Sequence, residues 1–239
     1  MAIYTGVADA NGDFNIPFSA NYTGGQKVTV TAEKDASTKS IELFAPSEVI
    51  GEAIKISGSW DNFPANIGIV TMTFSGAIQS SAFWPRSSNA GFSNASGLVL
   101  KGVTEIGSYA FAEWTKMTSL VFDNSLLTIS SFAFENCSLL EELVITDSIT
   151  AIGNAAFRYA FALKKLTLGS ALSSLGGAAF EYLVECNEII CKRTTPPTIL
   201  SNTFDSLKSS CVIKVPSASL TAYQTAENWS AHASKMVGV

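Results

Sequence analysis

His232 is the single histidine, and any Ser-His-Asp or Cys-His nucleophilic site would have to use it. The nearest thing to a nucleophile elbow is Gly91-Phe92-Ser93-Asn94-Ala95. It lacks the closing glycine and sits in a polar loop rather than between a strand and a helix, so an exposed, inert His232 is expected. Glu141-Glu142, Glu185 and Glu188 do not form a pair and read as solvated charges. Asp9, Asn11 and Asp13 mimic the first half of a calcium loop, but the loop glycine is misplaced and no bidentate Glu follows, which favours a hairpin turn. There is no glycine-rich phosphate loop, no Cys-x-x-Cys and no Cys/His pairing, so no catalytic set, metal or cofactor is predicted.

The elements that would have to position any site are written as a repeat. A small residue followed by Phe recurs at Ala110-Phe111, Ala133-Phe134, Ala156-Phe157, Ala179-Phe180 and Thr203-Phe204, with Phe-to-Phe steps of 23, 23, 23 and 24 residues. Five residues before each Phe stands an aliphatic residue, from Ile106 to Ile199. Nine after it come Leu120, Leu143, Leu166, Ile189 and Ile213, and eleven after it Phe122, Ile145, Leu168, Cys191 and Val215. Such a period with its apolar columns kept is the signature of a solenoid, whose units bury their cores only by stacking. The segment around each Ala-Phe reads as a turn of α or 3₁₀ helix, and the segment nine to eleven after it as a short strand. Ile78 and Ala82-Phe83 repeat the spacing as a degenerate early unit, followed by the loop WPRSSNAGFSNASG at 84–97. The Phe ladder reads as a buried spine.

Strands stacked in parallel point the +9 and +11 columns inward and the +8, +10 and +12 columns outward. The outward set offers Val121, Asp123, Glu142, Val144, Lys165, Thr167, Glu188, Ile190 and Lys192 as a partly apolar strip rimmed by charge. Trp84 and Phe92, aromatics in the 84–97 loop outside any repeat column, complete the candidate partner-binding residues. Tyr159 and Tyr182 share a column in adjacent coils, and packing between coils competes there with stacking on a sugar ring. Cys137, Cys186 and Cys191 occupy columns that other repeats fill with apolar residues and read as small buried hydrophobes. No two cysteines share a column in adjacent coils, which argues against stacked disulfides, and only Cys191–Cys211 stays open as a pair.

Three regions are expected. Residues 1–46 read as a small β unit, with an Asn11-Gly12 turn, a Gly24-Gly25 break and strands at KVTVTAEK (27–34) and SIELF (40–44). Residues 47–216 read as the solenoid, its regular repeats at 103–215, and 217–239 as a helical cap in which Ser217 or Ser219 caps and Leu220, Tyr223 and Trp229 cover the open core. Apolar residues make up 47% of the 239-residue chain and charged ones 15%, which supports a sizeable core. A net charge of −5 argues against nucleic acid as a partner. No apolar run is long enough to span a membrane. The opening MAIYTGVADANGD shows neither a basic n-region nor an apolar h-region, so the expectation is export by a signal outside it or by another route.

The repeats resemble a known family. ITAIGNAAFRYAFALKKLTLGS (149–170) and LLTISSFAFENCSLLEELVITD (126–147), with Cys137 at the family's cysteine column, look like the BspA-like leucine-rich repeats of bacterial and some protozoan surface proteins. TPPTIL followed by VIKVPSASLTAYQTAENWSAHASKM is similar to the ending found after such repeats. The resemblance implies an α/β solenoid, a right-handed leucine-rich-repeat superhelix with parallel strands and short helical turns, behind a small all-β domain. It also implies adhesion to a protein or surface glycan at a cell surface or after secretion, without enzymatic activity. TVTAEKDASTKSIEL resembles part of the Ig-like modules of bacterial surface and phage tail proteins. With the leaderless start, that gives the alternative of a phage or phage-like tail-tip protein, located on the virion tail.

Overall fold

The computed structural model describes residues 14–17, 27–34, 37–44, 53–54, 67–84 and 95–239. Its strands are β1 (Phe14–Pro17), β2 (Lys27–Lys34), β3 (Ser37–Phe44), β4 (Ala53–Ile54), β5 (Ile67–Ile78), β6 (Ala95–Ile106), β7 (Ser119–Phe122), β8 (Thr128–Ile129), β9 (Glu142–Val144), β10 (Ala151–Ile152), β11 (Lys165–Leu168), β12 (Ser174–Leu175), β13 (Glu188–Cys191), β14 (Val212–Val215) and β15 (Met236–Gly238). One parallel ladder runs β5-β6-β7-β9-β11-β13-β14-β15. A second parallel ladder runs β5-β6-β8-β10-β12, with β4 also on β5, and ends in a bridge from Ser174 to Thr198. The long strands β5 and β6 take part in both. The chain is a solenoid of stacked coils, and the register keeps like residue beside like: Leu120 opposite Leu143, Leu143 opposite Leu166, Leu166 opposite Ile189.

The third side of each coil holds the Ala-Phe segment, and there the expected helical turn is replaced by two successive tight turns. In the coil of Phe134, Ala133 N–H donates to Ser130 O (3.4 Å) and Cys137 N–H to Phe134 O (3.4 Å). The third residue of each turn has positive φ: Phe132 (61°) and Asn136 (59°), then Ala155 (52°) and Tyr159 (65°), Ala178 (54°) and Tyr182 (68°). This is the conformation that a turn of type II demands at that place. A helix would consume its N–H groups within the segment. Here alternate N–H groups point along the solenoid axis instead. Phe111 donates to Ala133 O (2.8 Å), Phe134 to Ala156 O (2.8 Å), Phe157 to Ala179 O (2.9 Å) and Phe180 to Thr203 O (2.9 Å), while Asn136 donates to Arg158 O (2.8 Å). Satisfying the backbone between coils outweighs the cost of about 1–2 kcal/mol for a non-glycine residue in the left-handed region.

The Phe rings form a buried column: Phe83 on Phe111 at 5.0 Å, Phe111 on Phe134 at 5.3 Å, Phe134 on Phe157 at 5.2 Å, Phe157 on Phe180 at 5.3 Å and Phe180 on Phe204 at 5.8 Å, with interplanar angles of 2–9°. The degenerate unit at Phe83 is thus a true coil. The +9 and +11 columns are buried throughout. Gly107 and Gly153 mark close approaches between coils. A Cβ at Gly153 would lie 2.5 Å from Ser131 N and one at Gly107 2.4 Å from Ser80 N, so the coils approach too closely there for a side chain.

At the end, the expected single helix is broken. Ser217–Ser219 is 3₁₀, α1 spans Leu220–Thr225, and Trp229–Lys235 is again 3₁₀ before β15 adds to the sheet. Neither Ser217 nor Ser219 makes a side-chain cap bond. The interruption follows from what the cap must do. The last coil has no successor, and side chains supply donors to its carbonyls. Tyr223 OH donates to Arg193 O (2.8 Å), Asn228 Nδ2 to Ile199 O (2.8 Å) and Trp229 Nε1 to Pro197 O (2.7 Å). Tyr223 and Trp229 are buried, and Leu220 packs on the core, as expected.

Near the N-terminus β2 and β3 pair antiparallel in unbroken register, whereas β1 lies parallel to β5 in the solenoid sheet. The Asn11-Gly12 turn, the Asp9/Asn11/Asp13 set, the Gly24-Gly25 break and the rest of the Ig-like reading lie outside the described residues.

Two substitutions test this architecture. Phe157→Ala, in mid-column, should cost about 3–5 kcal/mol and melt the coils in one transition roughly 10 °C lower or more. An unchanged midpoint would contradict the stacked column. Ala178→Gly should be neutral or stabilise by up to ~1 kcal/mol because φ is positive there, whereas a helical segment would lose about that much. Chemical denaturation distinguishes the two signs.

Candidate functional site

The outward strand residues divide by what they already touch. Val121 and Val144 are 52% and 50% exposed and belong to adjacent coils. Thr167, the next residue along that row, is only 9% exposed, and Ile190 is half-buried. Asp123 serves the turn after its strand: its carboxylate accepts from Gly102 N–H (2.8 Å) and Ser125 N–H (3.0 Å). Glu142, Lys165 and Glu188 stand side by side in register. Glu188 pairs with Lys165 (3.4 Å) on one side and with Lys214 on the other, and Lys192 pairs with Asp147 (3.3 Å). Much of the charge variation therefore pairs one coil with the next.

A second surface lies along the turn edge. Trp84 is half-buried and stacks on Tyr109 (4.9 Å), and Tyr109 stacks on Phe132 (4.6 Å, 2°). The Arg158 guanidinium lies over Phe132 (5.8 Å) and Tyr159 (4.8 Å), and its Nε donates to Glu135 Oε1 (3.0 Å). Tyr159 then stacks on Tyr182 (5.1 Å), with Phe161 beside both. Phe161 is 41% exposed, and Leu139 and Val184 of neighbouring coils are similarly open. Sequence reading found Trp84, Tyr159 and Tyr182 but missed Tyr109, Phe132 and Arg158. Tyr109 and Phe132 share the column two before the Phe, a signal that the expectation of a helix concealed. Phe92 and residues 85–94 of the loop lie outside the described residues.

The titratable groups among the described residues make no constellation. His232, expected to be exposed, is half-buried edge-on against Phe204 (6.0 Å, 87°). Its burial, and then the neighbouring Lys235, hold its pKa below the usual imidazole value. Cys137 is a packing residue that also donates to Phe111 O (3.6 Å), as Trp114 Nε1 in the same column donates to Phe83 O (3.0 Å). Burial pushes the Cys191 thiol up to about 12. Among the described residues no three His, Cys, Asp or Glu side chains could hold a metal, and no helix is long and apolar enough to cross a membrane.

Parallel strands on two sides, a ladder of turns on the third and one stacked ring per coil define a leucine-rich-repeat solenoid. The model of the BspA type leucine-rich repeat region matches residues 91–226 in six copies. That is more than half of the chain, and the chain belongs to this family. Among solved structures it is similar to the T. pallidum leucine-rich repeat protein TpLRR, with 19% identity and a TM-score of 0.55 over 73% of this chain and 81% of that one. It is also similar to the pneumococcal vaccine antigen PcpA, with 20% identity and a TM-score of 0.55 over 83% of this chain. It spans about half, 52%, of PcpA. At these identities the likeness is one of fold. No curated protein matches the chain significantly.

The charge row carries a pH prediction. Lys214 first, then Lys165, hold the Glu188 carboxyl below its ordinary range. A carboxyl depressed in this way stabilises the fold above its unfolded pKa, and the contribution is lost as pH falls through the folded value. Between about pH 5 and pH 3 the thermal midpoint of the parent should fall more steeply than that of Glu188→Gln. Parallel profiles would contradict the pairing.

Proposed function

We propose that this chain is a non-enzymatic binding module that adheres through the outer surface of its solenoid to a protein at a cell surface. The observation that carries the reading is the recurrence of exposed large apolar side chains in neighbouring coils, Val121 and Val144 on the sheet and Leu139, Phe161 and Val184 on the turn edge, on a scaffold several of whose charges pair between coils. Isolated exposed apolar residues are ordinary, but a run across consecutive coils marks a contact surface. Family membership supports a binding role, and the acidic balance favours a protein over nucleic acid.

Between a protein and a glycan, the stacking favours the protein. A sugar ring docks on an open aromatic face, and the facing surfaces of Tyr109 with Phe132 and of Tyr159 with Tyr182 cover each other. What remains open is ring edges and aliphatic groups, which suit apolar protein side chains. A small β unit at 1–46, the solenoid at 47–216 and the cap at 217–239 fit this role, the first as a spacer and the last as a seal. Secretion or display on the bacterial surface is the location we propose.

Immobilised matrix proteins and a glycan array, probed with the parent and with Val144→Asp/Phe161→Ser, test the reading. The double variant should keep its thermal midpoint within a few degrees and lose at least about tenfold in affinity for the protein bound by the parent. Undiminished binding would move the site to the N-terminal residues, and selective retention on glycans would overturn the choice of partner.

A further inference from the structure

Three of the solenoid's coils fill one inward column with Met117, Leu140 and Leu163, and the next two fill it with Cys186 and Cys211. The equivalence is set by backbone bonds. Asn187 N–H donates to Lys164 O (2.9 Å) and Val212 N–H to Asn187 O (2.9 Å), and with Val212 opposite Glu188 in the ladder the buried residue that leads into each strand, Cys186 or Cys211, lies in the same inward column. Each cysteine also closes the same turn, Cys186 N–H to Leu183 O (3.3 Å) and Cys211 N–H to Lys208 O (3.1 Å). A step of 25 residues separates the two, against 23 elsewhere in the column, and this displacement hid the pair from sequence reading. The neighbour of Cys211 is therefore Cys186 and not Cys191.

We propose that Cys186 and Cys211 are a redox staple, which forms a disulfide in an oxidising compartment and locks the last two coils together beneath the cap. Adjacent parallel strands stand about 4.8 Å apart, inside the roughly 4.4–6.8 Å Cα separation that a disulfide spans. Both side chains are buried, and their thiols donate to carbonyls of residues paired in adjacent strands, Cys186 Sγ to Glu188 O (3.4 Å) and Cys211 Sγ to Val212 O (3.8 Å). Stability alone gives no reason for two thiols here, since leucine serves the same column twice. The neighbourhood also favours one of them as the attacking group. The adjacent Cys186 thiol first, then Lys235 and Lys208, hold the Cys211 thiol below its ordinary value against the opposing effect of burial. The exposed Ser209 and Ser210 precede it, so opening of this short turn gives access.

The chemistry is exchange with a low-molecular-weight disulfide such as oxidised glutathione. The Cys211 thiolate attacks one glutathione sulfur, forms a mixed disulfide and expels a glutathione thiolate, which takes up a proton. Cys186, its proton passed to solvent, attacks the Cys211 sulfur and expels the second glutathione. The protein loses two protons and two electrons, and one oxidised glutathione becomes two reduced ones.

The test is to refold reduced, denatured full-length chain in a glutathione redox buffer, block free thiols, and map disulfides by mass spectrometry. The expected product is two hydrogens lighter, linked at Cys186–Cys211, with Cys137 and Cys191 free, and its thermal midpoint is roughly 5–10 °C above that of the same sample after reduction. Cys191→Ala should retain the link, and Cys186→Leu, which installs the residue found in two other coils, should abolish it. If a variant fails to fold, the map of the parent decides alone. Four free thiols in the folded parent, a link through Cys191 or Cys137, or a persistent glutathione adduct without an internal bond would each overturn the proposal.

Discussion

A coil of about 23 residues cannot satisfy its own backbone, and everything else in the fold follows from its N–H groups being donated to a neighbouring coil, back to the preceding one at many strand positions and on to the following one along the turns. On two sides the donation takes the familiar form of parallel strands. On the third it is made by a chain of turns, with N–H groups at Phe134, Asn136, Phe157 and Tyr159 all donating to the following coil. That requirement forces two residues per coil, four apart, to positive φ, brings the coils close enough at Gly153 to exclude a side chain, and lays the Phe rings in register. It also means that the last coil ends in unpaired carbonyls, which is why the cap is shaped by Tyr223, Asn228 and Trp229 rather than by helix propensity.

The columns were legible because burial constrains residue type. The Phe and aliphatic positions repeat at fixed spacing, and the solenoid with its parallel strands could be read directly from them. The turn side was not legible in the same way. NAAFRYAFAL has good helix formers, and nothing in local propensity says that its N–H groups will be needed by a neighbouring coil. The cap misled for the same reason: SASLTAYQTAENW reads as a helix until the carbonyls of residues 193–199 are seen to require donors. Cys186 and Cys211 were placed in different columns because the counting began from Phe, whereas a one-residue offset enters between Phe204 and Cys211. Of the candidate surface, Val121 and Val144 were read correctly as outward and exposed, while the bond of Asp123 to Gly102 depends on a long-range approach that spacing does not reveal.

Stability and recognition share one surface in this molecule. Opposite charges in adjacent coils sit side by side at strand separation, so a row such as Lys165, Glu188 and Lys214 is in part a device for stacking. Each such exposed pair is worth about 0–1 kcal/mol, a modest sum next to the buried column. The apolar side chains that stand open beside these pairs are held rigidly by ladders on three sides, so little ordering would accompany contact with a partner. The aromatic row from Trp84 to Tyr182 belongs to both roles, since its faces join coils and its edges meet solvent.

Amide hydrogen exchange followed by NMR tests the central claim most directly. If the turn side is a true third ladder, the N–H groups of Phe134, Asn136, Phe157 and Tyr159 exchange as slowly as those of Ile145, which donates to Thr167 O (2.8 Å), and Gly153, which donates to Ile129 O (2.8 Å). All six would then open only with global unfolding. Exchange at the four turn positions faster by orders of magnitude, with the strands still protected, would show that the coils are joined on two sides only and would contradict the account.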